Sequence, residues 1–467
     1  MTIAKKLTAR MSDSGKTVDM TRGKILPVIV RFAIPIMIGN LFQQLYSLVD
    51  TAVVGRGVGA EALAAVGVTS PVVQLLLGLM IGMTSGMSVV IAQHFGARDE
   101  NKVKNAITNG IILITGITAI ITVLGILLCR SLFRLINTPD NILDDAMLYT
   151  VITFTGTAAA AAYNYEAGIL RAFGNSVIPL VFLVLTSMLN VGLDLLFVLS
   201  FGWSVMGVAV ATILSQLISA ILCFVYMRKN VPQVRFEHDD WKWSGEMALQ
   251  HLKTGIPMAF FSSLLAVSFL LLQAVLNALG SADVAAYTAG SKMDTLVYQV
   301  MGAFGTAIST FAAQNYGKGE MNRLREGVKK SLLITVAISL GLTLLIQLFG
   351  KYFMMLFIDP AETEILKAAM QYARITSVFY VILGVNFIVR FALTGVGKSV
   401  IPMAVGISEI ITRALVTYLL VYRIGFLGMT FASPACWLTS TVLCVLCYAP
   451  MMKSVERSRK ELHSSAE

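Results

Sequence analysis

The chain has 467 residues, of which 56% are hydrophobic and only 13% charged, with a mean hydropathy of +0.77, whereas an ordinary soluble domain carries about 25% charged residues. That excludes a typical soluble enzyme or binding module and fits an integral membrane protein, in which twelve spans of ~20 residues would use roughly half the chain. A net charge of +10 from 36 Lys and Arg could mark a nucleic-acid binder, but no RNA-binding signature or aromatic-interleaved basic stripe accompanies it, and no nucleic-acid partner is expected.

In chain order, the first 24 residues hold six basic and two acidic side chains and no apolar core of signal-peptide type, so residues 1–24 read as a cytoplasmic arm. Apolar runs bounded by charge, Gly or Pro then predict helices near 25–54, 62–93, 104–129, 143–170, 176–201 and 205–227. A second set follows near 250–279, 283–313, 328–350, 363–394, 400–424 and 426–451. The expected organisation is an N-lobe over 25–227, a polar cytoplasmic linker over 228–249, a C-lobe over 250–452 and a cytoplasmic tail over 453–467. This is an all-α integral membrane fold with twelve transmembrane helices in two six-helix lobes.

Charge placement orients it. With the N-terminus inside, 25 of the 36 Lys and Arg fall on the cytoplasmic side, 6 on the opposite side and 5 within spans. The excess predicts a multi-pass protein of the cell membrane with both termini in the cytoplasm. The halves also repeat in sequence: FAIPIM at 32–37 matches GIPM at 255–258, AQHFG at 92–96 matches AQNYG at 313–317, AMLY at 146–149 matches AMQY at 369–372, and GNSVIP at 174–179 matches GKSVIP at 397–402. Six spans return the chain to its starting side, so the second copy enters in the same sense and the repeats are parallel, an arrangement typical of transporters.

Several near-motifs carry little. GVGKS at 395–399 lacks the first glycine of a phosphate-binding loop, since Ala392 stands there, and its repeat mate is FGNSVIP. His94, His238, His251 and His463 are expected in loops or the tail, which leaves no histidine relay or zinc set. Cys444 and Cys447 form a CxxC inside an apolar helix without further ligands nearby. Met80, Met83, Met87, Met293 and Met301 could line an adaptable cavity or simply pack helices. No cofactor and no enzymatic activity are expected.

Ionisable groups within membrane spans are costly, and each is a functional hypothesis. Asp50 on the first helix and Asp194 on the fifth lie roughly two turns below the outer surface at 1.5 Å per residue, and Tyr149 and Thr212 on the fourth and sixth reach the same level. Asn190 sits one turn below Asp194 on the same face. Two carboxylates in a low-dielectric pocket cannot both ionise cheaply, so such a cluster can carry a proton, while amide and hydroxyl oxygens beside them could instead hold Na⁺. A single Asp could merely tie helices together. A polar stripe, Asn40, Gln43, Gln44 and Ser47, leads up the first helix to Asp50. The repeat places Leu272, Arg413 and Thr417 opposite Asp50, Asn190 and Asp194, so that cluster is not duplicated. Glu409 and Arg413, four apart, can pair with one another. Lys292 and Asp294 find no role in this reading.

The chain resembles the multidrug and toxic compound extrusion (MATE) family over about 25–452. The resemblance is carried by IPIMIGNLFQQLYSLVDTAVVGRGVGAEALAAVG at 34–67, AQHFGARD at 92–99, ILRAFGNSVIP at 169–179, NVGLDLLFV at 190–198 and WSVMGVAVATILSQ at 203–216. Asp50 and the Asn190/Asp194 pair look like its DinF-like branch. The resemblance implies a cation-coupling site at Asp50, Tyr149, Asn190, Asp194 and Thr212. It also implies that Gln43, Tyr46, Asn164 and Ser187 line a drug pocket, to which the stripe residues Asn40 and Gln44 are added. The NorM-like branch has a glutamate on the seventh helix where Leu265 stands here, which argues against a second cation site of that type. The expected function is antiport by alternating access: H⁺ or Na⁺ enters as organic, mostly cationic or amphipathic compounds leave. The expected partners are small molecules and the bilayer, with no obligatory protein partner and a monomeric state. The competing reading is a flippase for a lipid-linked oligosaccharide or related amphiphile, which should show a strongly basic cavity.

Overall fold

The computed structural model describes residues 18–58, 60–135 and 138–464. Side chains at 46, 48, 50–52, 54–57, 60–64, 71, 135, 140, 270 and 458–464 lie outside the described residues, as does the arm expected over 1–17. Among the described residues every regular element is helical. In the first half these are α1 (Ile25–Gly57), α2 (Ala60–Gly96), α3 (Glu100–Leu135), α4 (Asp140–Thr155), α5 (Thr157–Ala172), α6 (Val177–Leu195) and α7 (Ser204–Asn230). The second half has α8 (Gly245–Leu279), α9 (Ser281–Lys318), α10 (Met321–Met354), α11 (Thr363–Val378), α12 (Tyr380–Gly395), α13 (Val400–Val416), α14 (Tyr422–Ile424), α15 (Phe426–Thr430) and α16 (Ala432–Ser464). Ten helices are long and apolar enough to cross a membrane, and taking the pairs α4–α5 and α11–α12 as one bent span each brings the number to twelve.

Those two pairs depart from the single helices expected over 143–170 and 363–394. They bend by 43° and 48° at Gly156 and Phe379, positions one repeat apart. A bend in a membrane frees backbone carbonyls that water cannot reach, so neighbouring hydroxyls must take them. From α3, Thr122 Oγ1 donates to Phe154 O at 3.3 Å and contacts Thr157 Oγ1 at 2.6 Å. The second half uses α10, where Thr343 Oγ1 donates to Ser377 O at 2.6 Å and Ser339 Oγ to Tyr380 O at 3.0 Å. Neither break involves proline, and the first relies on a small residue: a Cβ at Gly156 would drive into Ile213 of α7.

A second repeated irregularity follows α6 and α13. Each continues into one π turn, Leu196–Ser200 and Thr417–Val421. Such turns admit an extra residue into the helix and rotate the stretch beyond it, and they are frequent at functional positions.

Two compact units organise the chain. The first holds Ile34–Ala259 with the described residues up to Met20, and the second holds Thr21–Ala33 with Phe260 onward. Thus the opening of α8 clusters with the first half, and the opening of α1 with the second. The changeovers fall beside Pro35 and Pro257, the prolines inside α1 and α8. Within the first unit, α2 meets the start of α8 through a small-residue seam: side chains at Gly82 or Gly86 would collide with the α8 backbone at Met258 and Gly255. Met80, Met83 and Met87 are buried in this region, as are Met293 and Met301 in the second unit, so these methionines pack helices.

The linker also adheres to the first unit. Between α7 and α8 the turns Pro232–Val234 and His238–Trp241 cross the start of α3, where Lys104 Nζ reaches Asp240 Oδ2 at 3.0 Å and Thr108 Oγ1 donates to Asp240 O at 2.9 Å. Asn109 Nδ2 donates to Lys242 O at 3.1 Å, and its Oδ1 accepts from Ser244 N at 2.9 Å. His94 and His251, expected in loops, lie instead on α2 and α8. Fully buried, His251 places Nε2 2.8 Å from Ala106 O. The helical period that carries α8 upstream to Gly245 explains the difference. Cys444 and Cys447 are free thiols.

Candidate functional site

In the first unit the predicted coupling residues gather around a valine cluster. Val198 in the π turn and Val205 and Val208 on α7 are buried, and Val53 of α1, Val66 of α2 and Tyr149 of α4 pack against them. Asp194 lies one helical turn before Val198, and Thr212 one turn beyond Val208, so both rise from the edge of the cluster. Asp194 is fully buried, Asn190 is 2% exposed, and Asn190 Nδ2 approaches Thr212 Oγ1 at 3.5 Å. One turn further along α6, Thr186 Oγ1 meets Ser219 Oγ at 3.1 Å, continuing a polar seam between α6 and α7. Asn190, Asp194, Tyr149 and Thr212 therefore share one neighbourhood. The side chain of Asp50 lies outside the described residues, and only its place on α1, three residues before Val53, is described.

The expected pocket residues are more scattered. Gln43 is exposed and Asn40, Gln44 and Ser187 are half-buried, while the Tyr46 side chain lies outside the described residues. Asn164, also half-buried, spends its amide on its own helix, donating to Ala160 O at 2.9 Å. Close packing of α1 on α6 is visible at Gly39, where a Cβ would touch Leu180 and Leu183.

The second unit contains a polar network that the sequence left without a role. Asp294 on α9 accepts from Tyr372 Oη on α11 at 2.6 Å and from Tyr380 Oη on α12 at 2.7 Å, so one carboxylate joins both arms of the bent span. Tyr372 is the repeat mate of Tyr149, the one signal that pointed here. Glu409 does not take its ion pair from Arg413. Its partner is Arg390 of α12, at 3.6 Å, and Ser440 Oγ donates to the same Oε1 at 2.9 Å. Arg390 also lies over the rings of Phe261 and Phe387 at 4.4 and 4.7 Å, a cation–π setting. Arg413 turns to Ser268 Oγ at 2.7 Å and Ser433 Oγ at 3.3 Å. These charges come from helices far apart in sequence, which is why spacing within one helix mispaired them.

Two copies of the MatE family model match the chain, at residues 35–196 and 257–419. The chain belongs to the MatE family. Each copy ends next to a π turn and includes one bent span, so the repeat seen in the irregularities is the family's own unit. Among curated relatives, the protein named "Probable multidrug resistance protein YpnP" of Bacillus subtilis is 30% identical over 82% of this chain and 85% of its own length. The one named "Probable multidrug resistance protein NorM" of Thermotoga maritima is 26% identical over 86% and 87%. A solved structure described as the outward-facing conformation of a multidrug resistance MATE family transporter superposes with a TM-score of 0.87 at 25% identity, covering 94% of this chain and 99% of the other. The fold is the MATE fold of a multi-pass membrane transporter, and its relatives carry small compounds.

Proposed function

We propose that this MATE transporter exports organic cations and amphiphiles in exchange for H⁺ or Na⁺, with Asp194 as the group that binds the coupling ion and Asp50, Asn190, Tyr149 and Thr212 completing its site. The observation that carries the reading is a fully buried carboxylate beside a buried amide at the seam of α6 and α7. An ionised acid held in such a place is costly, and a bound proton or cation lowers that cost. Coupling then requires that the ion and the exported compound favour different arrangements of the transporter, since a ligand shifts an equilibrium only by its differential affinity. One net charge moved inward across 100 mV supplies ~2.3 kcal/mol; where a monovalent organic cation leaves for each ion that enters, the charges cancel and the ion's concentration gradient does the work. The excess of Lys and Arg on one side supports cytoplasmic termini, and export is the direction that antiport against an inward ion gradient gives. Relatives named for multidrug resistance support the substrate class.

Dye efflux from proteoliposomes, under a pH gradient and a Na⁺ gradient imposed separately, tests this and identifies the ion. Gradient-driven efflux by the wild type and none by correctly inserted Asp194→Asn is expected. Undiminished efflux by the variant overturns the assignment.

A further inference from the structure

A cavity of about 660 Å³ lies in the first unit, lined by α3, the end of α4, α5, α7 and the linker. Its lining includes no residue of α1 or α6, so it is separate from the pocket expected there. The two ends differ in chemistry. Toward the linker stand Glu166, Arg228 and a roof of Phe236 and Trp241, whose rings meet edge to face at 5.7 Å. Along α3 the cavity continues past Ile111 and Ala119 to Val123, ~20 Å at 1.5 Å per residue of a mainly apolar wall in which Thr115, Thr118 and Thr122 also stand.

The height of the polar end is fixed by Tyr165, whose hydroxyl donates to Ile107 O at 2.9 Å, level with the linker contacts on α3. Glu166 is a carboxylate inside a membrane span. Its Oε2 is buried with no hydrogen-bond partner among the described residues. Such an acceptor is expensive to leave unmade. Arg228 is exposed at the rim. Val123 and Phe224, both lining residues, are 55% and 41% exposed and continue the strip of Ile120, Leu124 and Ile221 that a bilayer would cover. The cavity thus opens toward lipid and offers an anion within, a cation at the mouth and an apolar channel long enough for an acyl chain.

We propose that this cavity holds an ammonium-bearing phospholipid from the leaflet on the linker's side, its ammonium donating to Glu166, its phosphate at Arg228 and one acyl chain along α3. The inference is independent of ion-coupled export, and its test needs no gradient.

Native mass spectrometry of the purified full chain, exchanged into detergent with equal dioleoyl phosphatidylethanolamine and phosphatidylglycerol, reads the retained lipid. The wild type should keep the ethanolamine lipid in preference, and should lose that preference when the amine is N-acetylated. Glu166→Gln should lower retention about tenfold, the scale of one charged hydrogen bond. Ala119→Phe, which fills the chain end and leaves the head intact, should do the same, with thermal melting confirming that each variant is folded. Equal retention of both lipids by the wild type, or wild-type retention by folded Glu166→Gln, overturns the proposal. Because the headgroup comparison uses the wild type, it decides the matter even where a variant fails to fold.

Discussion

The two halves build buried polar sites on one repeated scaffold and fill them differently. Tyr149 and its mate Tyr372, the bends at Gly156 and Phe379, and the paired π turns recur, whereas the charges do not. Among the described residues of the second half, Asp294 is held by two tyrosines, Glu409 by Arg390 and Ser440, and Arg413 by two serines. In the first half Asp194 sits at the rim of a valine cluster, beside an amide–hydroxyl contact of 3.5 Å. The contrast teaches that burial of a carboxylate does not by itself define a working site. A carboxylate gripped from both arms of a bend is suited to hold shape, and one at a seam of small polar groups is suited to exchange a ligand.

The largest effect expected separates these roles directly. Asp194→Asn should abolish gradient-driven efflux with little change in melting temperature, and comparable loss of stability would place Asp194 with the second-half residues. Glu409→Gln should act the other way: it leaves Arg390 buried without its counter-charge, which costs ~3–5 kcal/mol for pairs of this kind, read as a lowered denaturation midpoint in detergent. A smaller loss, ~1.5–3 kcal/mol, is expected for Tyr372→Phe or Tyr380→Phe, each of which removes one of the two charged hydrogen bonds to Asp294. Spin-label distances across Phe379 should broaden in Asp294→Asn and stay narrow in Asp194→Asn. An unchanged distribution in the former would show that the bend does not depend on the carboxylate.

The smallest effect concerns the linker. The Glu237 N–H, and then Lys104, hold the Asp240 carboxyl below its usual range. Because its folded-state value is depressed, the stabilisation is complete above the ordinary value near ~3.9 and is lost as pH falls through the lower one. For a pair at the surface this amounts to ~0.2–1 kcal/mol. Anisotropy of a dye attached beforehand to Gln233→Cys should hold steady down to about pH 4, fall as the pH is lowered further, and stay flat in Asp240→Asn.

Much of the fold was legible in the sequence because hydropathy and repeat offsets are local or periodic signals. Twelve spans and the Tyr149/Tyr372 correspondence follow from them. The bends were not, since no proline marks them and their carbonyls are taken by Thr122, Ser339 and Thr343 on neighbouring helices. For the same reason Asp294 could be noticed as anomalous but not assigned: its tyrosine partners lie 78 and 86 residues away. The Glu409–Arg413 spacing suggested an in-helix pair, and tertiary packing chose Arg390 instead.

The division of α1 and α8 carries a consequence of its own. Residues 21–33 belong with the second unit and the first fifteen residues of α8 with the first, the changeovers beside repeat-related prolines. Each half thus lends the opening of its leading helix to the other unit. A lone half would be an incomplete fold, able to complete itself only by trading that segment with a second copy, as in a domain-swapped dimer. The two fragments obtained by cutting the linker should therefore regain the fold only when produced together.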